Sequence, residues 1–174
     1  LGDLVARVAR DAGVDVGGVQ RTAGDLGTLH VVDTGDGPRP HYQRRQSAFC
    51  REVHGATFDW DALLSGREWL VLTGITPLLG DGPADAWRGA IRAAARRGVR
   101  VAVDLNHRPA LGDFDSLWKI VEAELPRLSL LVLSEGDVRK LAPKVLGSTN
   151  RAPLQLPGDR APLPPAAEAA QFAA

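Results

Sequence analysis

A chain of 174 residues is long enough to bury one core, and an apolar fraction of 44% is that of an ordinary globular domain. Its 21 basic and 21 acidic residues cancel, which argues against a general nucleic-acid binder, because such proteins carry a basic excess. No apolar run approaches the roughly 18 residues of a membrane span, and a lone cysteine, Cys50, excludes an internal disulfide. The expected setting is therefore cytoplasmic, with no membrane and no nucleic acid as partner.

The chain contains no methionine, not even at position 1. The expectation is a chain that starts after the beginning of its fold, with any N-terminal targeting segment outside it. Arginine far outnumbers lysine, and Ala, Gly and Pro are abundant. Arginines therefore carry weight here only where their position singles them out.

Residues 3–12 place Leu4, Val5, Val8 and Ala12 on one helical face, and Gly13 suits the residue after a helix end. Two short β-prone runs follow, Val19–Thr22 and Thr28–Asp33. Thr34-Gly35-Asp36-Gly37 supplies an Asp-Gly turn, and a third strand is expected through His41–Arg45. Together these make a small antiparallel β insert.

From about residue 58 the pattern alternates. Asp59–Leu64 reads as a short helix and Trp69–Thr73 as a buried parallel strand. Pro83 suits a first helical turn, and Ala84–Arg97 puts Trp87, Ile91 and Ala94–Ala95 on one face, with Gly98 ending the helix. Val99–Val103 is a second buried strand, Phe114–Glu124 a helix, Leu130–Leu133 a third strand, and Ser134–Leu141 opens another helix. Strand–helix alternation of this kind predicts an α/β fold with a doubly wound parallel sheet. The expected organisation is a first helix at 1–18, a β lid insert at 19–48, an α/β core at 49–142 and a Pro/Ala-rich disordered tail at 143–174. That tail holds half of the twelve prolines and shows no apolar periodicity.

In an open parallel sheet, ligands bind beyond the carboxyl ends of the strands. Three segments lie there. Asp104-Leu105-Asn106-His107-Arg108-Pro109 follows a buried strand with an acid, an amide and a guanidinium. Arg offers a planar fork for carboxylate or phosphate, and Asn pairs with hydroxyls. The same residues could be a solvated loop with Asp104 capping a turn, and His107 reads as an exposed loop residue. Gly74-Ile75-Thr76 allows close approach of a ligand, or simply turns the chain before Pro77. Ser134-Glu135-Gly136-Asp137 resembles a capping box, or places polar groups near a nucleotide and its metal. Tyr42-Gln43-Arg44 ends the β insert. Arg44 and Arg45 would point to opposite faces of a strand, so at most one of them serves a ligand. Cys50 has no paired His, and His30, His41, His54 and His107 lack zinc-like spacing. No GxGxxG, GxxxxGK[ST] or GxSxG occurs.

Taken together, GDLVARVARDAGVDVGGV, RTAGDLGTLHVVD, YQRRQSA, LVLTGIT, VAVDLNHRPALG and LLVLSEGDVRKL resemble the PfkB-type (ribokinase-type) carbohydrate kinases, and among them the 2-keto-3-deoxygluconate kinases. The resemblance covers roughly residues 2–141. VDLNHRP and YQRRQSA are its more specific pieces. It implies a partial ribokinase-like fold whose β insert is a lid over the sugar and a dimer contact. It implies that Tyr42, Arg44, Ile75 and Arg108 bind the sugar or sugar acid, and that Asn106 and Ser134 face the nucleotide. Asp137 stands where the family has a metal-associated glutamate, so ATP and Mg2+ are the implied cofactors. The family's Asn-x-x-Glu pattern reads Ser134-x-x-Asp137 here, and its Pro-x-Leu-Trp reads Pro109-Ala110-Leu111-Gly112.

A Gly-Ala-Gly-Asp signature, the family's anion hole and catalytic base, is absent from the 174 residues. Phosphoryl transfer rests on positioning and electrostatic stabilisation, so the expected chain is a piece of a sugar kinase without transfer activity. A second reading is a non-catalytic interaction module that pairs with kinase-like subunits through its lid strands. A methyltransferase-like or dehydrogenase-like domain is disfavoured by the missing glycine-rich first loop.

Overall fold

The structure is a computed structural model that describes residues 2–33 and 35–145. The chain divides into two units, residues 1–134 and a second that starts at Glu135.

The first unit opens with helix α1 (Gly2–Asp11). The helix forms as its periodicity predicts, but Leu4, Val5 and Val8 are exposed and Ala6 is the buried residue. Val19–Thr22 forms no strand, contrary to expectation: it follows Gly17-Gly18 and no strand pairs with it. The insert is instead a two-stranded antiparallel ribbon, β1 (Thr28–Asp33) and β2 (Pro38–Gln43), in register from Thr28↔Gln43 to Asp33↔Pro38. Of the expected third strand at His41–Arg45, only His41–Gln43 is extended, as the second half of β2, which starts earlier, at Pro38. Gly35 and Gly37 adopt φ of +86° and +102°, the left-handed region that suits glycine in a tight turn. A short helix not anticipated from the sequence, α2 (Ala48–Glu52), follows. Ser47 caps it by accepting from the backbone N–H of Cys50. Helix α3 (Trp60–Leu63) is capped in the same way by Asp59.

Strands β3 (Trp69–Thr73), β4 (Arg100–Asp104) and β5 (Leu130–Val132) form a parallel sheet in chain order. Helix α4 (Asp81–Arg97) connects the first pair and α5 (Phe114–Glu122) the second. Parallel strands are joined by right-handed crossovers, and two that advance in the same direction put both helices on one face. The pleat then decides burial. Leu70, Leu72, Val101, Val103 and Leu131 share one face, and Val101 and Val103 are fully buried. The opposite face carries Trp69, Val71, Leu130 and Val132, all exposed, with Val71 at 72%. Trp69–Thr73 is therefore a half-exposed strand and not the buried one its apolar run suggests.

Helix α4 is the centre of the core. It touches α2, α3, β3, β4 and the turns at Thr76–Leu78 and Leu125–Arg127. Its buried face is Trp87, Ala90, Ile91, Ala93 and Ala94, so Ala93 and not Ala95 completes the stripe. Gly98 ends it in the left-handed conformation, and its N–H caps the carbonyls of Ala94 and Ala95. Glu124 is 3% exposed and paired by Arg127 at 3.1 Å and Arg92 at 3.7 Å, so its buried charge is compensated.

The second unit begins with α6 (Glu135–Val145), which runs through Pro143. Residues 143–145 of the expected tail belong to this helix, and the remainder of that call, 146–174, lies outside the described residues.

The two faces of the sheet make opposite predictions. Ile91→Ala, at a fully buried position, should lower unfolding free energy in urea by roughly 2–5 kcal/mol. Val71→Ala, on the open face, should change it by no more than about 0.5 kcal/mol.

Candidate functional site

Parallel register brings the strand ends level. Thr73 pairs with Asp104, and Asp104 with Val132. Beyond them the backbone N–H of Gly74 donates to the Asp104 carbonyl at 2.8 Å, and that of Leu105 to the Val132 carbonyl at 3.0 Å. Gly74-Ile75, Leu105-Asn106 and Leu133-Ser134 thus leave one edge of the sheet together. Gly74 is required by its neighbour: a Cβ there would overlap the carbonyl oxygen of Leu105. Its small size serves strand packing. Ile75 is half-buried, and its N–H reaches the Thr73 hydroxyl at 3.3 Å.

Asn106 turns the loop sharply, with φ of +43°, and its side-chain amide donates to the Thr73 hydroxyl at 3.4 Å. This left-handed residue points the chain out of the sheet and delivers Arg108 to the surface. The Arg108 side chain is exposed, and its Nη1 donates to the carbonyl of His107 at 3.2 Å. His107 is half-buried, contrary to the exposed position expected for it. Its Nε2 lies 3.0 Å from the Gly112 carbonyl, which requires the Nε2–H tautomer, and its ring meets Phe114 edge-on at 5.4 Å. The Leu111 N–H closes a turn onto the Arg108 carbonyl at 2.9 Å. Residues 107–114 are therefore tied to one another. A Cβ at Gly112 would press on Leu78, so the glycine lets the loop lie against that turn.

The ribbon meets this loop at its base. Tyr42 is exposed and the Arg44 guanidinium stacks on its ring, 3.8 Å from the centroid. Arg45 lies in the turn that follows β2, and its Nη2 donates to the Leu111 carbonyl at 3.2 Å. The end of the ribbon that holds Tyr42 and Arg44 is thereby joined to the loop that holds Arg108. Ser134 directly precedes α6, and Asp137 lies in that helix's first turn.

Among the described residues no three His, Cys, Asp or Glu side chains converge as a metal site. No described helix is long and apolar enough to cross a membrane. Sequence reasoning missed His107 and Arg45. Neither has a local signal, since each acts on a carbonyl that the fold supplies.

Solved structures that share this architecture include sugar kinases. A PfkB family carbohydrate kinase from Listeria grayi matches with a TM-score of 0.69 and 26% identity, over 79% of this chain and 43% of that one. A 2-dehydro-3-deoxygluconokinase from Thermotoga maritima matches with a TM-score of 0.67 and 29% identity, over 80% of this chain and 43% of that one. This is the fold of the PfkB-type carbohydrate kinases. A candidate ribokinase II from E. coli, in complex with ATP and Mg2+, shares it at a TM-score of 0.68 and 20% identity, over 82% of this chain and 45% of its own. The chain spans less than half the length of the kinases it matches. No family model matches it.

Within this kinase-like loop, Asp113 caps α5. Its carboxylate accepts from the Ser116 hydroxyl at 2.7 Å and the Ser116 N–H at 2.8 Å, and these hydrogen bonds hold its pKa below the ordinary 3.8. A depressed carboxylate stabilises the fold above its unfolded pKa and loses that contribution as pH falls through the folded value. The thermal midpoint should therefore drop as pH is lowered through and below 3.8. Asp113→Asn, which still accepts but does not titrate, should flatten part of that slope.

Proposed function

We propose that this chain is the sugar-binding portion of an ATP-dependent carbohydrate kinase acting on a keto-deoxy sugar acid or a related sugar. The observation that carries the reading is the joining of two cationic segments at one place. Tyr42 and Arg44 stand at the lid's base, and Arg108 on the loop that Arg45 ties to it. Guanidiniums carried on two joined segments suit an anionic, hydroxylated ligand, because each presents a planar fork to a carboxylate. In this reading Arg44 and Arg108 hold the acid group, Tyr42 covers the sugar, and Ile75 lines its apolar side.

The nucleotide reading assigns Asn106 and Ser134 to ATP and Asp137 to Mg2+. A Mg2+ ion commonly takes one or two carboxylates and completes its shell with phosphates and water. One carboxylate in the first turn of α6 fits an ion that arrives with the nucleotide, and does not fit one held by the described residues alone. The 174 residues hold no Gly-Ala-Gly-Asp sequence, so these residues bind and orient a sugar without supplying the transfer step. The proposed setting is cytoplasmic, consistent with the single cysteine.

Calorimetric titration with 2-keto-3-deoxygluconate, against glucose as the neutral control, tests this. The acid should bind in preference to the neutral sugar. Arg108→Ala should weaken it roughly 10- to 100-fold, since a hydrogen bond to a charged group contributes about 1.5–3 kcal/mol. Equal affinity for acid and neutral sugar would remove the carboxylate role of Arg108.

A second reading, an interaction module, is favoured by the ribbon itself. Every residue of β1 and β2 is exposed, and β1 has an outer edge free of proline, whereas β2 holds Pro38 and Pro40. The partner is a second copy or a kinase-like subunit, paired edge to edge through β1. Sedimentation should show self-association that Val31→Lys abolishes. A wild-type chain that stays monomeric at all concentrations would reject pairing with itself.

A further inference from the structure

We propose that Arg45 is a positioning residue that latches the lid to the ligand loop and so sets where Arg44 and Arg108 stand relative to each other. The inference deepens the sugar-acid reading above and rests on it for its ligand. Its geometry stands by itself.

The ribbon has no core to hold it: all of β1 and β2 is exposed, and the contacts of each strand are dominated by the other. A two-stranded ribbon of this kind is marginally stable unless something packs against it or anchors its base. The anchor is at the carboxyl end of β2. Arg45 Nη2 donates to the Leu111 carbonyl across 66 residues of sequence. The Ser47 N–H bonds the Arg44 carbonyl at 3.0 Å, and the Ala48 N–H bonds the Asp25 carbonyl at 2.7 Å. The base of the lid is thereby closed on both sides.

The accepting carbonyl is coupled to the ligand arginine. Leu111 donates its own N–H to the Arg108 carbonyl at 2.9 Å, so the two residues form the ends of one turn. The next carbonyl, Gly112, is held by the His107 ring at 3.0 Å, and that ring is braced by Phe114. Arg45 therefore pulls on a turn that is already stiff, and its pull reaches Arg108 as a unit. Arg44, the preceding residue, stacks on Tyr42. One strand end thus presents one guanidinium to the ligand and uses the next to hold its distance from the ligand loop.

The test reads amide hydrogen exchange and binding in the purified chain. Arg45→Ala should speed exchange at Leu111, Gly112 and Asp113 with no change in the amides of β4. It should weaken 2-keto-3-deoxygluconate about fivefold, the effect of losing one hydrogen bond. In an Arg108→Ala background the same substitution should have almost no effect, because a positioning residue acts through the residue it positions. Arg45→Lys, which can still donate to a carbonyl, should restore most of the binding.

Unchanged exchange at residues 111–113 in Arg45→Ala overturns the latch, whatever the chain binds. Full additivity with Arg108→Ala overturns the positioning role. Faster exchange in a chain that binds no sugar acid supports the latch and rejects the ligand reading.

Discussion

Helix α4 lies against β3 and β4 on a surface made largely of alanine. Ala90, Ala93 and Ala94 let the helix axis approach the sheet closely, and Trp87 and Ile91 fill the space that remains, both sealed from solvent. Gly82, in the first turn of α4, permits contact with the Val53 backbone, where a Cβ would overlap its carbonyl oxygen. This packing decides the position of every neighbour. The short helices α2 and α3 rest on α4, and so do the turns that enter and leave the strands. The sheet has only three strands among the described residues, so it depends on this one covered face for its apolar burial.

From that packing the site follows by register. Parallel pairing holds Thr73, Asp104 and Val132 level, and the loops that leave them emerge side by side. The loop after β4 is the longest-reaching of these, and Asn106 gives it direction through a backbone conformation that few side chains adopt. Arg108 is then exposed, while the residues around it are occupied in holding the loop. The division of labour is chemical: carbonyls and an imidazole fix the backbone, and the guanidinium is left toward solvent. The ribbon reaches the same place by a different route, through the turn after β2 that carries Arg45.

The open face of the sheet is a further consequence of a progression in one direction. Both crossover helices share a side, so Trp69, Val71, Leu130 and Val132 have none to cover them. Arg100 shields part of Trp69 by lying over its ring at 4.4 Å. Parallel sheets are ordinarily covered on both faces. In this chain the apolar stripe of α1 and this face of the sheet are both exposed, and each is an apolar surface of the kind that marks an interface.

By itself the sequence determined most of the elements and the parallel α/β character of the sheet. Strong local signals did this: the apolar run at β3, the α4 periodicity ended by Gly98, and the caps at Asp59 and Asp113 act within a few residues of themselves. The segments YQRRQSA and VDLNHRP pointed to a sugar-kinase fold, and the structural neighbours agree. Tertiary structure decided the rest. Val19–Thr22 has strand-like residues but no partner, and a strand needs one to satisfy its backbone. Burial of β3 was misread because apolar content says nothing about which faces will be covered. The roles of His107 and Arg45 were invisible because both bind main-chain carbonyls, which every residue carries, so only the fold decides which of them lies within reach.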